Sequence, residues 1–234
     1  MIVLALETAT IEVGAALVGS DGLLAESRHP CRRRHAETLH PAVESVLSAA
    51  GIGLGEVGAV AVDVGPGLFT GLRVGIAAAK AFGFALGVPL VAVRSTEVLR
   101  RGASADPGRP PGVVVPVVDM RRGEVAWEFP GGGLEIGPVS LLRARLCELS
   151  GAVFLVGDAA GDLAAVLVDL DGLSCRFGGD DLAAPSVAVL GAIGIERVAQ
   201  GATTDAVGIE PCYLRAPDAR ANFVTREPPG KDRP

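Results

Sequence analysis

Apolar residues fill Ile2 to Leu6, and the stretch Glu12 to Val18 alternates enough to pair with them across a turn at Ala9-Thr10, which predicts an opening β-hairpin. Gly22 to Ser27 adds a third strand after the Ser20-Asp21-Gly22 turn. From His35 to Ala50 the apolar positions Leu39, Val43, Val46, Leu47 and Ala50 fall at helical spacing, and Gly51 stands where a C-cap glycine belongs. Val57 to Val64 reads as a buried strand that runs into the glycine-rich turn Gly65-Pro66-Gly67-Leu68-Phe69-Thr70-Gly71 and opens a helix over Leu72 to Leu86. Leu90 to Val93 is the next strand. The segment Gly102 to Gly112, with Pro107, Pro110 and Pro111, carries the strongest linker signal and marks a domain boundary. Beyond it, Val113 to Asp119 and Glu124 to Phe129 form a hairpin through Met120 to Gly123, Val153 to Asp158 is a strand, and Pro185 to Gln200 a helix. The tail from Thr225 to Pro234, with three prolines and mixed charges, is expected to fray. Strands followed by alternating helices and strands predict an α/β fold of mixed sheets flanked by helices.

Composition agrees with a chain that folds. Of 234 residues, 49% are hydrophobic and 21% charged, which excludes the charge-rich, apolar-poor profile of disorder. Glycine (32 residues) is abundant and aromatics are only 4%, so close backbone approach replaces large rings in the core. A net charge of −6 argues against a surface that neutralises many phosphates unaided, so any RNA contact is expected to be shared with a partner. Cys31, Cys147, Cys175 and Cys212 make no CxxC pair and suit idle thiols of a reducing compartment. The start, MIVLALETAT, lacks the features of a signal peptide, and the cytoplasm is the expected location. Val74 to Val93 approaches membrane-span length with Lys80 its only charge, but Gly87-Val88-Pro89 divides it into a helix and a strand of a soluble core.

Catalytic motifs are scarce. There is no GxSxG and no HExxH, and His29, His35 and His40 all precede the glycine-rich turn. His35 and His40 are five apart, which turns them roughly 140° from each other on a helix, so no metal site is expected. The turn before the helix could hold an anion on free N–H groups, with Glu7, Thr8, Gly65 and Gly67 as its candidate residues; without a GK[ST] ending, a purely structural tight turn is the favoured reading. Gly71, Gly75, Ala79, Gly83 and Gly87 recur every four residues and draw a side-chain-poor ridge along one helix flank. Glycines inside a helix cost about 1 kcal/mol each relative to alanine, so close packing must offset them. Arg28, Arg32, Arg33 and Arg34 form the only basic cluster and read as a solvated loop face, while Asp119, Arg121 and Glu124 straddle a hairpin turn where they can pair with one another.

Three segments resemble the TsaB (YeaZ) family. Leu4-Ala5-Leu6-Glu7-Thr8-Ala9-Thr10 is similar to its opening strand and turn, where the family usually has Asp in place of Glu7. Gly65-Pro66-Gly67-Leu68-Phe69-Thr70-Gly71-Leu72-Arg73-Val74-Gly75 resembles its GPGSFTGLRIG. Asp119, Arg121, Glu124 and Val125 are similar to its DARxxEVY, and Glu210-Pro211-Cys212-Tyr213-Leu214-Arg215 to its EPxYLR.

The resemblance implies an actin-like (ribonuclease H-like) fold in two domains: 1–101 completed by a C-terminal helix at about 186–216, a smaller domain over 102–185, and a flexible tail over 217–234. It also implies a cytoplasmic partner subunit that binds and activates TsaD in forming threonylcarbamoyladenosine beside the anticodon of tRNA. ATP is then used by the assembled complex with the ATPase TsaE, and tRNA is met through that complex. Leu68 leans toward the paralogue TsaD, but TsaD's HxEGH motif is missing where Arg94-Ser95-Thr96-Glu97-Val98 stands, so the chain is expected to be non-catalytic. By the same resemblance the partner interface comprises Leu39, Val43 and Leu47 with Gly71, Leu72, Gly75, Ile76, Ala79 and Gly83. The competing reading of the ridge is packing on the chain's own sheet. In isolation an apolar interface is expected to pair into a homodimer. The alternative function is an actin-fold ATPase or small-molecule kinase active by itself; a peptidase is the least supported.

Overall fold

The computed structural model describes residues 1–31, 34–167, 170 and 172–214. Its first sheet has the order β3-β2-β1-β4-β5, with β1 (Ile2–Glu7), β2 (Glu12–Gly19), β3 (Gly22–Pro30), β4 (Ala59–Asp63) and β5 (Leu90–Val93). The first three strands run antiparallel as a meander, and β4 and β5 join parallel to β1. β1 is buried on both faces, which is why it reads as an unbroken apolar run. Leu4 and Leu6 point into the cluster shared with α1 (His35–Ala50) and α2 (Phe69–Leu86). Val3 and Ala5 point the other way, into the cluster built with α6 (Val187–Ala199).

The second sheet has the order β10-β9-β6-β7-β8, from β6 (Val113–Asp119), β7 (Glu124–Glu128), β8 (Leu134–Pro138), β9 (Gly151–Val156) and β10 (Leu173–Phe177). Val115, Val117 and the fully buried Trp127 face α4 (Val139–Cys147) and α5 (Ala160–Leu163). On the opposite face Val114, Val118 and Phe154 pack with Leu99 and Ala103 of α3 (Ser95–Ala105).

α3 is the main departure from the sequence expectation. Gly102 and the prolines after it suggested a linker, yet the helix continues to Ala105 because Val98, Leu99 and Ala103 bury one flank. β8, α4, α5 and β10 also went unread. α2 starts at Phe69, three residues before Leu72, and α1 ends on Gly51 in the left-handed conformation that a C-cap glycine serves. By length and apolarity alone, Phe69–Leu86 and the segment 180–199 could cross a membrane; α2 packs on β4, and α6 on β1, β2 and β4. The expected frayed tail over 225–234, the tail domain 217–234 and the last two residues of the span 186–216 lie outside the described residues.

Candidate functional site

Parallel pairing of β1 with β4 brings the C-terminal ends of both strands to one edge of the first sheet. There Glu7 and Thr8 leave β1, Asp63 ends β4, the turn Gly65-Pro66-Gly67 leads into α2, and Ser95 starts α3. Glu7, Thr8, Asp63 and Ser95 are all buried, at 2%, 0%, 0% and 1% exposure. The weak cofactor candidates Glu7, Thr8, Gly65 and Gly67 therefore do meet in space.

Their polar groups are spent on one another. The Ala9 N–H donates to Glu7 Oε1 at 2.7 Å, and Leu68 N–H donates to the Ala9 carbonyl at 2.7 Å. Asp63 Oδ1 accepts from both Gly65 N–H and Ser95 Oγ, each at 2.7 Å, and Ser95 N–H donates to the Gly65 carbonyl at 2.9 Å. Thr8 Oγ1 donates to the Gly71 carbonyl at 2.9 Å. Gly65 has φ +101, a conformation that side chains rarely adopt. A Cβ on Gly67 would lie closer than 3.0 Å to the backbone of Ala9. The glycine-rich turn is thus stitched directly to the β1–β2 turn, and the amides of Gly65, Leu68 and Ala9, which an anion would need, already have acceptors. The two acidic groups beneath it also oppose an anion. Burial pushes the Glu7 carboxyl well above its usual range, with the charge of Asp63 adding to the effect, and burial raises Asp63 too.

The ridge on α2 is not open to a second molecule. A Cβ on Gly71 would strike the Thr8 carbonyl, one on Gly75 the Thr8 hydroxyl, and one on Gly83 the side chain of Leu90. Gly71, Leu72, Gly75, Ile76, Ala79 and Gly83 are buried in the chain's own core. On α1, Leu39 and Val43 are buried and Leu47 is half-buried against the same core. The expected interface residues are corrected accordingly: the glycines let α2 sit close to its own sheet, which is the competing reading of that pattern. Exposed instead is the opposite flank, with Phe69, Arg73, Ala77, Lys80 in part, and Phe84, which is 87% exposed. Along it the segment Ile209–Tyr213 packs beside α2 and leaves a groove of about 480 Å³ lined by Arg73, Ala77, Lys80 and Tyr213. Arg73 lies 3.8 Å from the Phe69 ring centre and donates from Nε to the Tyr213 hydroxyl at 2.9 Å.

The other candidates stay apart. His29 meets Ser27, His35 is bonded to the Thr10 carbonyl, and His40 faces Glu44; among the described residues no group of three potential metal ligands forms. Arg28 pairs with Glu12 and Arg34 with Glu37, whereas Arg32 and Arg33 lie outside the described residues, as does Arg215 of the C-terminal motif. Asp119 pairs with Arg121 at 2.7 Å across a turn in which Arg121 and Arg122 both have positive φ. Cys31 is buried but Cys147 is exposed, and all four thiols are free. Asp63 was missed; its only signal is a lone charge ending the apolar strand Ala59–Asp63 just before the glycine turn.

Comparison with known proteins places this geometry. Residues 29–138 match the family model "TsaD: tRNA N6-adenosine threonylcarbamoyltransferase". The TsaB proteins of Bacillus subtilis and Escherichia coli, named for tRNA threonylcarbamoyladenosine biosynthesis, are 28% and 29% identical; the alignments cover 96% and 99% of this chain and 98% and 100% of theirs. An uncharacterised Mycobacterium leprae protein is 42% identical over 142 residues, 58% of this chain, which spans only 38% of that relative's length. The solved structure of YeaZ from Pseudomonas aeruginosa superposes with a TM-score of 0.74 at 25% identity, over 91% of this chain and 99% of that one. Near end-to-end similarity to the TsaB and YeaZ proteins, set against a shorter match to the TsaD model, goes with an actin-like fold and with a chain that resembles the TsaB (YeaZ) family along its length.

Proposed function

We propose that this chain is a non-catalytic subunit in the making of threonylcarbamoyladenosine beside the anticodon of tRNA, where it binds and activates a transferase of the TsaD family. The observation that supports this reading most is the closed turn: amides and carboxylates that could serve a nucleotide are bonded within the chain. ATP is used by the assembled complex, through a TsaE-type ATPase, and tRNA is reached through that complex, in keeping with a chain of net charge −6. The protein works in the cytoplasm, its two sheets act as two domains, and α6 completes the first.

The docking face is the outer flank of α2, around Phe69, Arg73, Ala77 and Phe84, and alone this flank pairs two copies of the chain. Phe84→Asp puts a charge on an apolar contact and is expected to weaken capture of the TsaD-type partner at least about tenfold, with an unchanged circular dichroism spectrum. Pull-down with the purified partner measures this; undiminished capture removes α2 from the interface. The chain alone is expected to show no ATP turnover, with tRNA modification arising only when the TsaD-type and TsaE-type proteins are added. Turnover by the isolated chain would overturn the reading.

A further inference from the structure

We propose that Glu7 and Asp63 share a single proton in the folded chain, and that this proton latches the end of the first sheet to the start of α3 and so to the second sheet. Each carboxyl has one oxygen occupied by neutral donors: Glu7 Oε1 by Ala9 N–H, and Asp63 Oδ1 by Gly65 N–H and Ser95 Oγ. The remaining oxygens, Glu7 Oε2 and Asp63 Oδ2, are buried with no donor among the described residues, and the parallel register that pairs Leu6 with Val62 sets the next two residues, Glu7 and Asp63, side by side. Two ionised carboxylates have only lone pairs to offer, so neither orphaned oxygen can satisfy the other unless one of them carries a proton. Neither group is ion-paired among the described residues, and two negative charges so close in a dry site cannot both persist.

The groups that face the pair do not remove the need for this proton. Arg28 on β3 acts on Glu7 from a distance, and is itself paired with Glu12 and Glu26. Arg94, before α3, is paired with Glu128; the Cys212 thiol is pushed up by burial; the His35 ring is held on the Thr10 carbonyl. The first turns of α2 and α6 bring no charged residue. Asp63 in turn holds Ser95, and the next residue, Thr96, donates to Glu128 of β7. The proton therefore sits at one end of a buried polar chain that crosses from one sheet to the other.

The sign follows from carboxyls raised in the folded state. The stability they contribute is complete below the ordinary carboxyl range and is lost as pH rises through the raised folded value, when the proton passes to water and two charges remain. The thermal midpoint of the wild-type chain is expected to fall by roughly 5 °C or more between about pH 6 and pH 9. Glu7→Gln supplies a permanent amide donor toward Asp63 and keeps an acceptor for Ala9 N–H, so its midpoint is expected to be flat across that range. Infrared spectroscopy at neutral pH should show a protonated-carboxyl carbonyl band in the wild type that disappears in Glu7→Gln and also in Asp63→Asn, which covers the case in which one variant does not fold. Amide hydrogen exchange at Ser95 and Thr96 should quicken with pH beyond its chemical rate in the wild type alone. Absence of that band, or parallel pH profiles for wild type and Glu7→Gln, overturns the shared proton; a titration that leaves Ser95 and Thr96 exchange unmoved overturns the latch.

Discussion

A Gly71→Ala chain is expected to lose about 3 kcal/mol of folding stability, at the upper end of the range for overpacking a well-filled interior. On an exposed helix the same change gains roughly 1 kcal/mol, so the sign itself is diagnostic. The added methyl would sit closer than 3.0 Å to the carbonyl of Thr8, which is backbone and cannot rotate away. β1 cannot retreat either, because β2 and β4 hold it on both sides. Nor can α2 withdraw freely: Thr8 Oγ1 donates to the Gly71 carbonyl, and Leu68 N–H donates to Ala9. In a chain of this size that loss lowers the thermal midpoint by roughly 6–12 °C, which calorimetry resolves easily. Ala81→Leu, on the exposed flank of the same helix, should change it little, and equal effects of the two would show that the contact with Thr8 is not limiting. Gly75→Leu meets the Thr8 hydroxyl in the same way, so loss of a partner in that variant would report a damaged fold and not a removed interface.

How far the sequence leads depends on whether the signal is local. α1 is read with its bounds, His35 to Ala50, because its apolar period and its C-cap glycine lie within one segment. α3 escaped because its buried flank begins with Ser95 and Thr96, polar residues whose partners are Asp63 and Glu128, each 32 positions away. The four-residue ridge on α2 states that something approaches the helix closely, but a strand of the same chain and a helix of another make the same demand for small side chains. Only the parallel pairing of β4 with β1 on one side and β5 on the other shows that Thr8 and Leu90 are the neighbours. Asp63 has the same ambiguity. A charge at a strand end ordinarily faces water, and nothing near it in the sequence says that Glu7 arrives beside it.

Glu128→Ala is the second large effect expected, also about 3 kcal/mol, and it should loosen one sheet from the other. Glu128 is 4% exposed on β7, where Thr96 Oγ1 donates to Oε2 at 2.5 Å and Arg94 contacts Oε1 at 3.1 Å. Arg100 lies farther off, at 3.9 Å. Removing the carboxylate leaves the buried Thr96 hydroxyl without its acceptor, and that is the main cost. The Arg94 side chain is 43% exposed, so water relieves most of its loss and the ion pair itself adds little. Glu128→Gln keeps an oxygen for Thr96 and is therefore expected to cost only about 1 kcal/mol. Because α3 is packed between β6 and α6, weakening its first turn separates the stabilities of the two sheets. Calorimetry of Glu128→Ala should then show a van't Hoff enthalpy below the calorimetric one, the mark of lost all-or-none unfolding. A single cooperative transition at the wild-type midpoint would mean that the apolar contacts of Leu99 and Ala103 with β6 and β9 suffice to hold the sheets together, and that Glu128 merely fills the space between them.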